Sequence, residues 1–262
     1  MLRKRLIVAA VFLPAFYLYI MHLSMEFFFF LFIAVSLAAL SEFYSMYHVA
    51  GLLKYACLFL SVAVLSVSNF AREYLPDVFI LSVMVIMVIR LFSKRDPVSS
   101  LSDMSPAVIG FLYVPGLLLF QGQIRKFGPE WIIFLYATVW ASDAMAYFLG
   151  KGIGGWKLYR EVSPNKTVAG AAGSLIGGAL GGLLSGILFV HQLQGTSAVF
   201  IGVIIGSISV IGDLVESMFK RDAGVKDSGI IFPGHGGVLD KIDGSLFAGP
   251  VLYWILTFIY GK

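Results

Sequence analysis

The chain reads as long apolar runs separated by short polar breaks. Nine runs approach the roughly 20 residues with which a helix crosses a bilayer core: 6–21, 27–41, 51–68, 75–92, 106–121, 131–149, 168–190, 198–217 and 246–260. The runs at 27–41 and 246–260 are short, so they are expected to extend outward or to lie tilted. Backbone groups in lipid must pair within their own segment, which favours helices over strands. The pattern predicts an all-α, polytopic integral membrane protein with about nine transmembrane helices.

Composition agrees with that reading. Of 262 residues, 59% are hydrophobic and only 13% are charged, too little polar surface to cover a soluble domain of this size. The opening stretch, MLRKRLIVAAVFLPAFYLYIM, couples a basic segment to an apolar one as a signal peptide does. No small-x-small cleavage site follows it, so a retained first helix is expected. Cys57 stands alone inside a span, which excludes an intrachain disulfide and offers no thiolate metal site.

The distribution of charge sets an orientation. With the N-terminus in the cytoplasm, that side and its span edges hold fourteen cations: Arg3, Lys4, Arg5, Lys54, Lys94, Arg95, Lys151, Lys157, Arg160, Lys166, Lys220, Arg221, Lys226 and Lys241. The opposite side holds four, Arg72, Arg125, Lys126 and Lys262, while Arg90 lies within a span. This is a strong positive-inside bias, and it puts the polar connectors 150–167 and 218–245 in the cytoplasm. Ionisable groups within spans concentrate in the second half. The chain therefore divides loosely into an N-terminal region, 1–127, with five helices, and a C-terminal region, 128–262, with four helices and both connectors. The absence of an internal repeat weakens an inverted-repeat transporter reading.

Candidate chemistry follows from acids placed at membrane depth. Asp143 lies inside the sixth run, in VWASDAMAYFLG, where a carboxylate faces a cavity or pairs with a cation. Asp213 and Glu216, at i and i+3, share a helical face with Ser217, and Lys220 stands one turn beyond. A helix-end ladder of salt bridges is the structural alternative. The second connector supplies Lys220, Arg221, Lys226, Asp227, His235, Asp240, Lys241 and Asp243 around the glycines of PGHGG. Glycine backbone beside lysines suits a phosphate cradle, although glycine also marks ordinary turns. Asp240 and Asp243, again at i and i+3, resemble acids that hold Mg²⁺ together with substrate phosphates; a solvated loop with a capping aspartate is the bland reading. In the first connector, SPNKT presents Lys166 and Thr167 at the start of the seventh run, where an anion could meet free N–H groups, but on this motif alone a capped helix with flanking positive charge is the favoured reading. These acids can crowd one cytoplasm-facing pocket only if cations neutralise them. Acids, a metal and lysines together are equipment for handling polyphosphate. The four-residue spacing of Gly173, Gly177, Gly181 and Ser185 predicts close helix packing.

The stretch SMFKRDAGVKDSGIIFPGHGGVLDKID resembles the pattern of the CDP-diacylglycerol synthases, the phosphatidate cytidylyltransferases. The likeness rests on Ser217, Lys220, Arg221, Lys226, Asp227, His235, Gly236, Gly237, Asp240 and Asp243, with Asp143-x-x-Ala146-Tyr147 and SPNKT upstream. Lys241 stands where arginine is usual, and Val168-Ala169-Gly170 replaces the usual Trp-Glu-Gly. The resemblance implies a nine-helix enzyme, dimeric, that turns CTP and phosphatidate into CDP-diacylglycerol and pyrophosphate with Mg²⁺ and a further cation such as K⁺; a bacterial inner membrane is the expected location. It implies metal ligation by Asp213, Asp240 and Asp243. The candidate catalytic groups are then Asp143, Glu216, Lys226, Asp227 and His235. Lys166, Thr167, Ser217, Lys220, Arg221, Gly236, Gly237 and Lys241 are the candidate substrate-binding ones. No nucleic-acid partner is expected. A CTP-dependent polyprenol or dolichol kinase is the rival enzyme, and an ion-coupled transporter the rival outside enzymology.

Overall fold

A computed structural model describes residues 13–94, 96–232 and 236–260. Helix α1 is described over 13–22; the earlier part of the run expected at 6–21 lies outside the described residues. There follow α2 (Met25–Met46), α3 (Gly51–Phe70), a 3-10 turn (Arg72–Tyr74), α4 (Leu75–Ser93), α5 (Ser100–Tyr113), α6 (Pro115–Phe127) and α7 (Pro129–Ile153). A small antiparallel hairpin, β1 (Lys157–Tyr159) and β2 (Ser163–Thr167), leads into α8 (Val168–Phe189), α9 (Gly195–Asp222) and α10 (Leu239–Tyr260). Among the described residues, eight helical spans are long and apolar enough to cross a membrane. The chain is a helical multi-pass membrane protein.

Two expectations about the elements change, and a third is met. The run at 106–121 is not one helix, because the chain breaks at Val114 between α5 and α6. Pro115 has no N–H to give back to the preceding turn, and its ring crowds the carbonyl four residues earlier. The short run at 27–41 extends outward, as expected, into the 22-residue α2. The connector expected at 218–245 shrinks to 223–238, since α9 continues to Asp222 and α10 begins at Leu239. Helical hydrogen bonding does not stop where hydropathy falls, so Lys220, Arg221, Asp240, Lys241 and Asp243 all sit on helix ends.

Helix α8 packs most extensively against α7 and α9, and its glycines explain how. A Cβ on Gly173 would stand 2.6 Å from Met145 O, and one on Gly181 would stand 2.7 Å from Ala141 Cβ, both on α7. The expected four-residue row thus lies on α7. A second row, Gly178 and Gly182, faces α9 at Gly202, Gly206 and Ala198. Backbones that approach this closely gain dispersion contact where lipid removes the hydrophobic drive. Buried polar ties stitch the earlier helices to this group. Gln121 Nε2 on α6 donates to Ser245 O on α10 at 3.2 Å, and Tyr136 Oη on α7 donates to Gln121 Oε1 at 2.9 Å.

Candidate active site

The site begins with a close crossing. Gly212 on α9 faces α10 so tightly that an added Cβ would stand 2.6 Å from Asp243 O and 3.2 Å from Gly244 Cα. The next residue on α9 is Asp213, so the crossing brings its carboxylate to that of Asp243. Glu216, one turn along the same face of α9, completes the group. One carboxylate oxygen from each of Asp213, Glu216 and Asp243 lies within 4.8 Å of the others.

The hairpin delivers a cation to this group. Val168 N donates to Trp156 O at 2.9 Å, which holds β2 and the start of α8 against β1. Thr167 Oγ1 accepts from Gly170 N at 3.0 Å and caps α8. Lys166, the residue before this cap, places Nζ 2.6 Å from Asp213 Oδ2. On α9, Ser217 Oγ donates to Asp213 Oδ1 at 3.3 Å, orienting the carboxylate from the other side.

Asp240 is engaged differently from the acids around it. Lys220 Nζ donates to Glu216 Oε2 at 2.5 Å and to Asp240 Oδ1 at 2.6 Å, linking α9 to α10. The other oxygen of Asp240 accepts from Gly237 N at 2.7 Å and Ser228 N at 3.0 Å. The expected metal-binding group was Asp213, Asp240 and Asp243. The compact one is Asp213, Glu216 and Asp243, with Asp240 beside it as the acceptor that closes the 228–237 loop.

A cavity of roughly 650 Å³ opens at this end of the bundle, and Asp143, Tyr147, Lys151, Lys166, Thr167, Ser174, Asp213, Asp240 and Asp243 are among its lining residues. Asp143 projects into it from α7 and is exposed there. Glu216 is fully buried behind the lining. Arg221 ties the two connectors together, with Nε donating to Val162 O at 3.3 Å and Nη1 to Val225 O at 3.0 Å. Lys226, Asp227 and Lys241 are exposed and do not line the cavity. Gly236 takes φ +86°, a conformation that favours glycine, and its carbonyl accepts from Phe232 N at 2.9 Å. His235 lies outside the described residues.

The three clustered carboxylates suit a hard divalent cation. Among the described residues, Glu216 Oε1 is buried and has no hydrogen-bond partner, an arrangement that is costly in a protein interior. Three acids at this separation repel one another unless positive charge stands among them, and Lys166 and Lys220 sit at the edges of the group. Oxygen-only donors from two helices are the ligand type that Mg²⁺ takes, with water and phosphate completing its shell.

The cytidylyltransferase family matches this chain over residues 3–259, nearly its whole length. The chain belongs to that family. Proteins named phosphatidate cytidylyltransferase are among its relatives. That of Brucella abortus is 46% identical over 140 residues, covering 52% of this chain and 50% of the relative. That of Staphylococcus saprophyticus is 38% identical over 165 residues, covering 63% and 61%, and that of Bacillus subtilis is 38% identical over 135 residues, covering 52% and 50%. In these matches the chain spans between 50% and 61% of the relatives' own length. Three residues matter to this family member's site without standing out in its motifs. Gly212 sets the α9–α10 crossing, and Ser228 holds Asp240 through both its N–H and its hydroxyl. Glu42 reaches the same loop from α2; its one signal in the sequence is an acid just past the expected end of the second run.

Proposed function

We propose that the chain is a phosphatidate cytidylyltransferase that converts CTP and phosphatidate into CDP-diacylglycerol and pyrophosphate. The observation that carries this reading is the trio Asp213, Glu216 and Asp243, with Lys166 on it, at the edge of a 650 Å³ cavity in a cytidylyltransferase-family membrane protein. An oxygen of the phosphatidate phosphate forms a bond to the α-phosphorus of CTP as the bond to pyrophosphate breaks. The nucleophile is already anionic near neutral pH, so the barrier is charge repulsion and alignment rather than proton removal. Mg²⁺ held by Asp213, Glu216 and Asp243 would supply the positive charge that lets two anions meet.

The chain's own groups do the rest. Lys166 leaves Asp213 for a phosphate oxygen, while Lys220 keeps Glu216 and Asp240 in place. Asp143, which lines the same cavity, would support the trio in holding the cation. Lys226, exposed in the second connector, would offer a positive charge to the departing pyrophosphate. The cavity faces the cytoplasm, where CTP is found, and the fourteen-to-four bias of cations supports this orientation. A bacterial inner membrane and a homodimer complete the proposal.

The test uses purified protein in detergent with labelled CTP and Mg²⁺, and with phosphatidate or, separately, a polyprenol as the lipid. CDP-diacylglycerol and pyrophosphate are expected in equal amounts. CDP together with a phosphorylated polyprenol would establish the lipid-kinase alternative, and no nucleotide turnover with either lipid would overturn the enzymatic reading.

A further inference from the structure

We propose that Glu42 is a positioning residue for this site: from α2 it caps the start of α10 and so sets where Asp240 and Asp243 stand. The proposal rests on the reading of the site given above. The first N–H groups of any helix lack partners within it and need acceptors from elsewhere. The residues before α10, Gly237 and Val238, have no side-chain acceptor to offer. Glu42 Oε1 accepts from Val238 N at 3.0 Å and Oε2 from Leu239 N at 2.9 Å. A cap that is normally local is thus supplied by a residue about two hundred positions earlier in the chain.

The loop is shaped to receive this carboxylate. A Cβ on either Gly229 or Gly237 would collide with the Glu42 carboxylate, and Gly237 would meet Ser228 Oγ as well. Two glycines, one of them in the HGG stretch, therefore make room for Glu42 rather than lining the cavity. Ser228 Oγ lies 3.2 Å from Glu42 Oε2 and 2.9 Å from Asp240 Oδ2, one hydroxyl between two acids. Glu42 is only 7% exposed, and its three hydrogen bonds together with the positive end of α10 offset the cost of burying it. Asp240 is the second residue of α10, and Asp243 follows one turn later. A shift in the start of α10 therefore moves both acids, and misplacement by about 1 Å can cost on the order of a hundredfold in rate.

Glu42→Gln keeps the shape but removes the charge and turns a donor toward one of the two N–H groups. Glu42→Asp keeps the charge on a shorter arm. Both are compared with the full-length wild type in detergent, by steady-state turnover across CTP and Mg²⁺ concentrations and by amide hydrogen exchange. In Glu42→Gln we expect kcat to fall at least about tenfold and the KM for CTP to change less than about threefold. Half-maximal rate should need several times more Mg²⁺. Exchange should quicken about tenfold in peptides covering 228–243 and stay as in wild type across α8. Glu42→Asp should recover part of kcat. Wild-type kcat and Mg²⁺ dependence in Glu42→Gln would overturn the proposal. Quickened exchange along the whole chain, with Glu42→Asp no better than Glu42→Gln, would also overturn it, because Glu42 would then serve the fold at large. If the wild type itself makes no CDP-diacylglycerol, the activity reading fails separately. Exchange then decides alone: local quickening at 228–243 upholds the cap, and none removes it.

Discussion

Lys166 Nζ stands 2.6 Å from Asp213 Oδ2, which joins the end of β2 to α9 at the edge of the cavity. An ion pair of two partly exposed groups contributes little to stability, so its value lies in keeping a lysine poised beside the acids. Lys166→Met is expected to lower kcat/KM for CTP by about tenfold to a hundredfold while leaving thermal stability nearly unchanged. Lys166→Arg should retain more activity, because it keeps the charge. Steady-state kinetics on the three proteins check this, and equal activity in all of them would remove Lys166 from the site.

Asp213 and Asp243 meet because α9 and α10 cross at Gly212. Asp243→Asn keeps the shape of the side chain but removes one negative charge from the trio. Turnover is expected to fall about a hundredfold or more, with normal insertion and purification, and Asp213→Asn should behave alike. The double mutant should be scarcely worse than either single one, as when two residues act as a unit. Turnover measured against Mg²⁺ concentration decides. A wild-type curve for Asp243→Asn would return this aspartate to a role in packing α10.

Gly202 sits where α8 and α9 touch, and a Cβ there would stand 3.0 Å from Gly182 Cα. Gly202→Ala is expected to destabilise the protein by about 1–3 kcal/mol, since neither backbone can yield without disturbing the rest of its helix. Gly152, with nothing within 4 Å of an added Cβ, is the control, and Gly152→Ala should change stability by less than about 0.5 kcal/mol. Thermal unfolding in detergent separates the two.

Lys157 and Lys226 are both exposed, one in each connector. Single cysteines at these positions, in a Cys57→Ala background, should resist an impermeant thiol reagent in intact cells and react once the membrane is opened. Ready labelling of both in sealed cells would reverse the orientation.

Much of the architecture was legible because hydropathy over about 20 residues is a local property. A helix in lipid satisfies its own backbone, so each apolar run announces itself without reference to its neighbours. The i, i+3 relation of Asp213 and Glu216 was legible for the same reason: it is fixed within one helix. The glycine row of α8 gave away a close contact, although not that a second row, one residue on, meets another helix.

Helix ends and the choice among acids were decided elsewhere. Hydropathy stopped α9 at Ser217 and began α10 at Leu246, yet both helices run on into the polar residues, where water and side chains can donate to the free carbonyls ending α9 and accept from the free N–H groups starting α10. The spacing of Asp240 and Asp243 is that of Asp213 and Glu216, and nothing in either pair says which acids face one another. That depends on how α9 crosses α10, and the crossing brings Asp243 to Asp213 and Glu216 while Lys220, Ser228 and Gly237 take Asp240. Glu42 was the least legible of all. A carboxylate beyond the end of an apolar run looks like solvated flank in the sequence. Only the tertiary structure brings the start of α10 to it, because contacts between distant segments are set by how whole helices pack and not by the residues on either side.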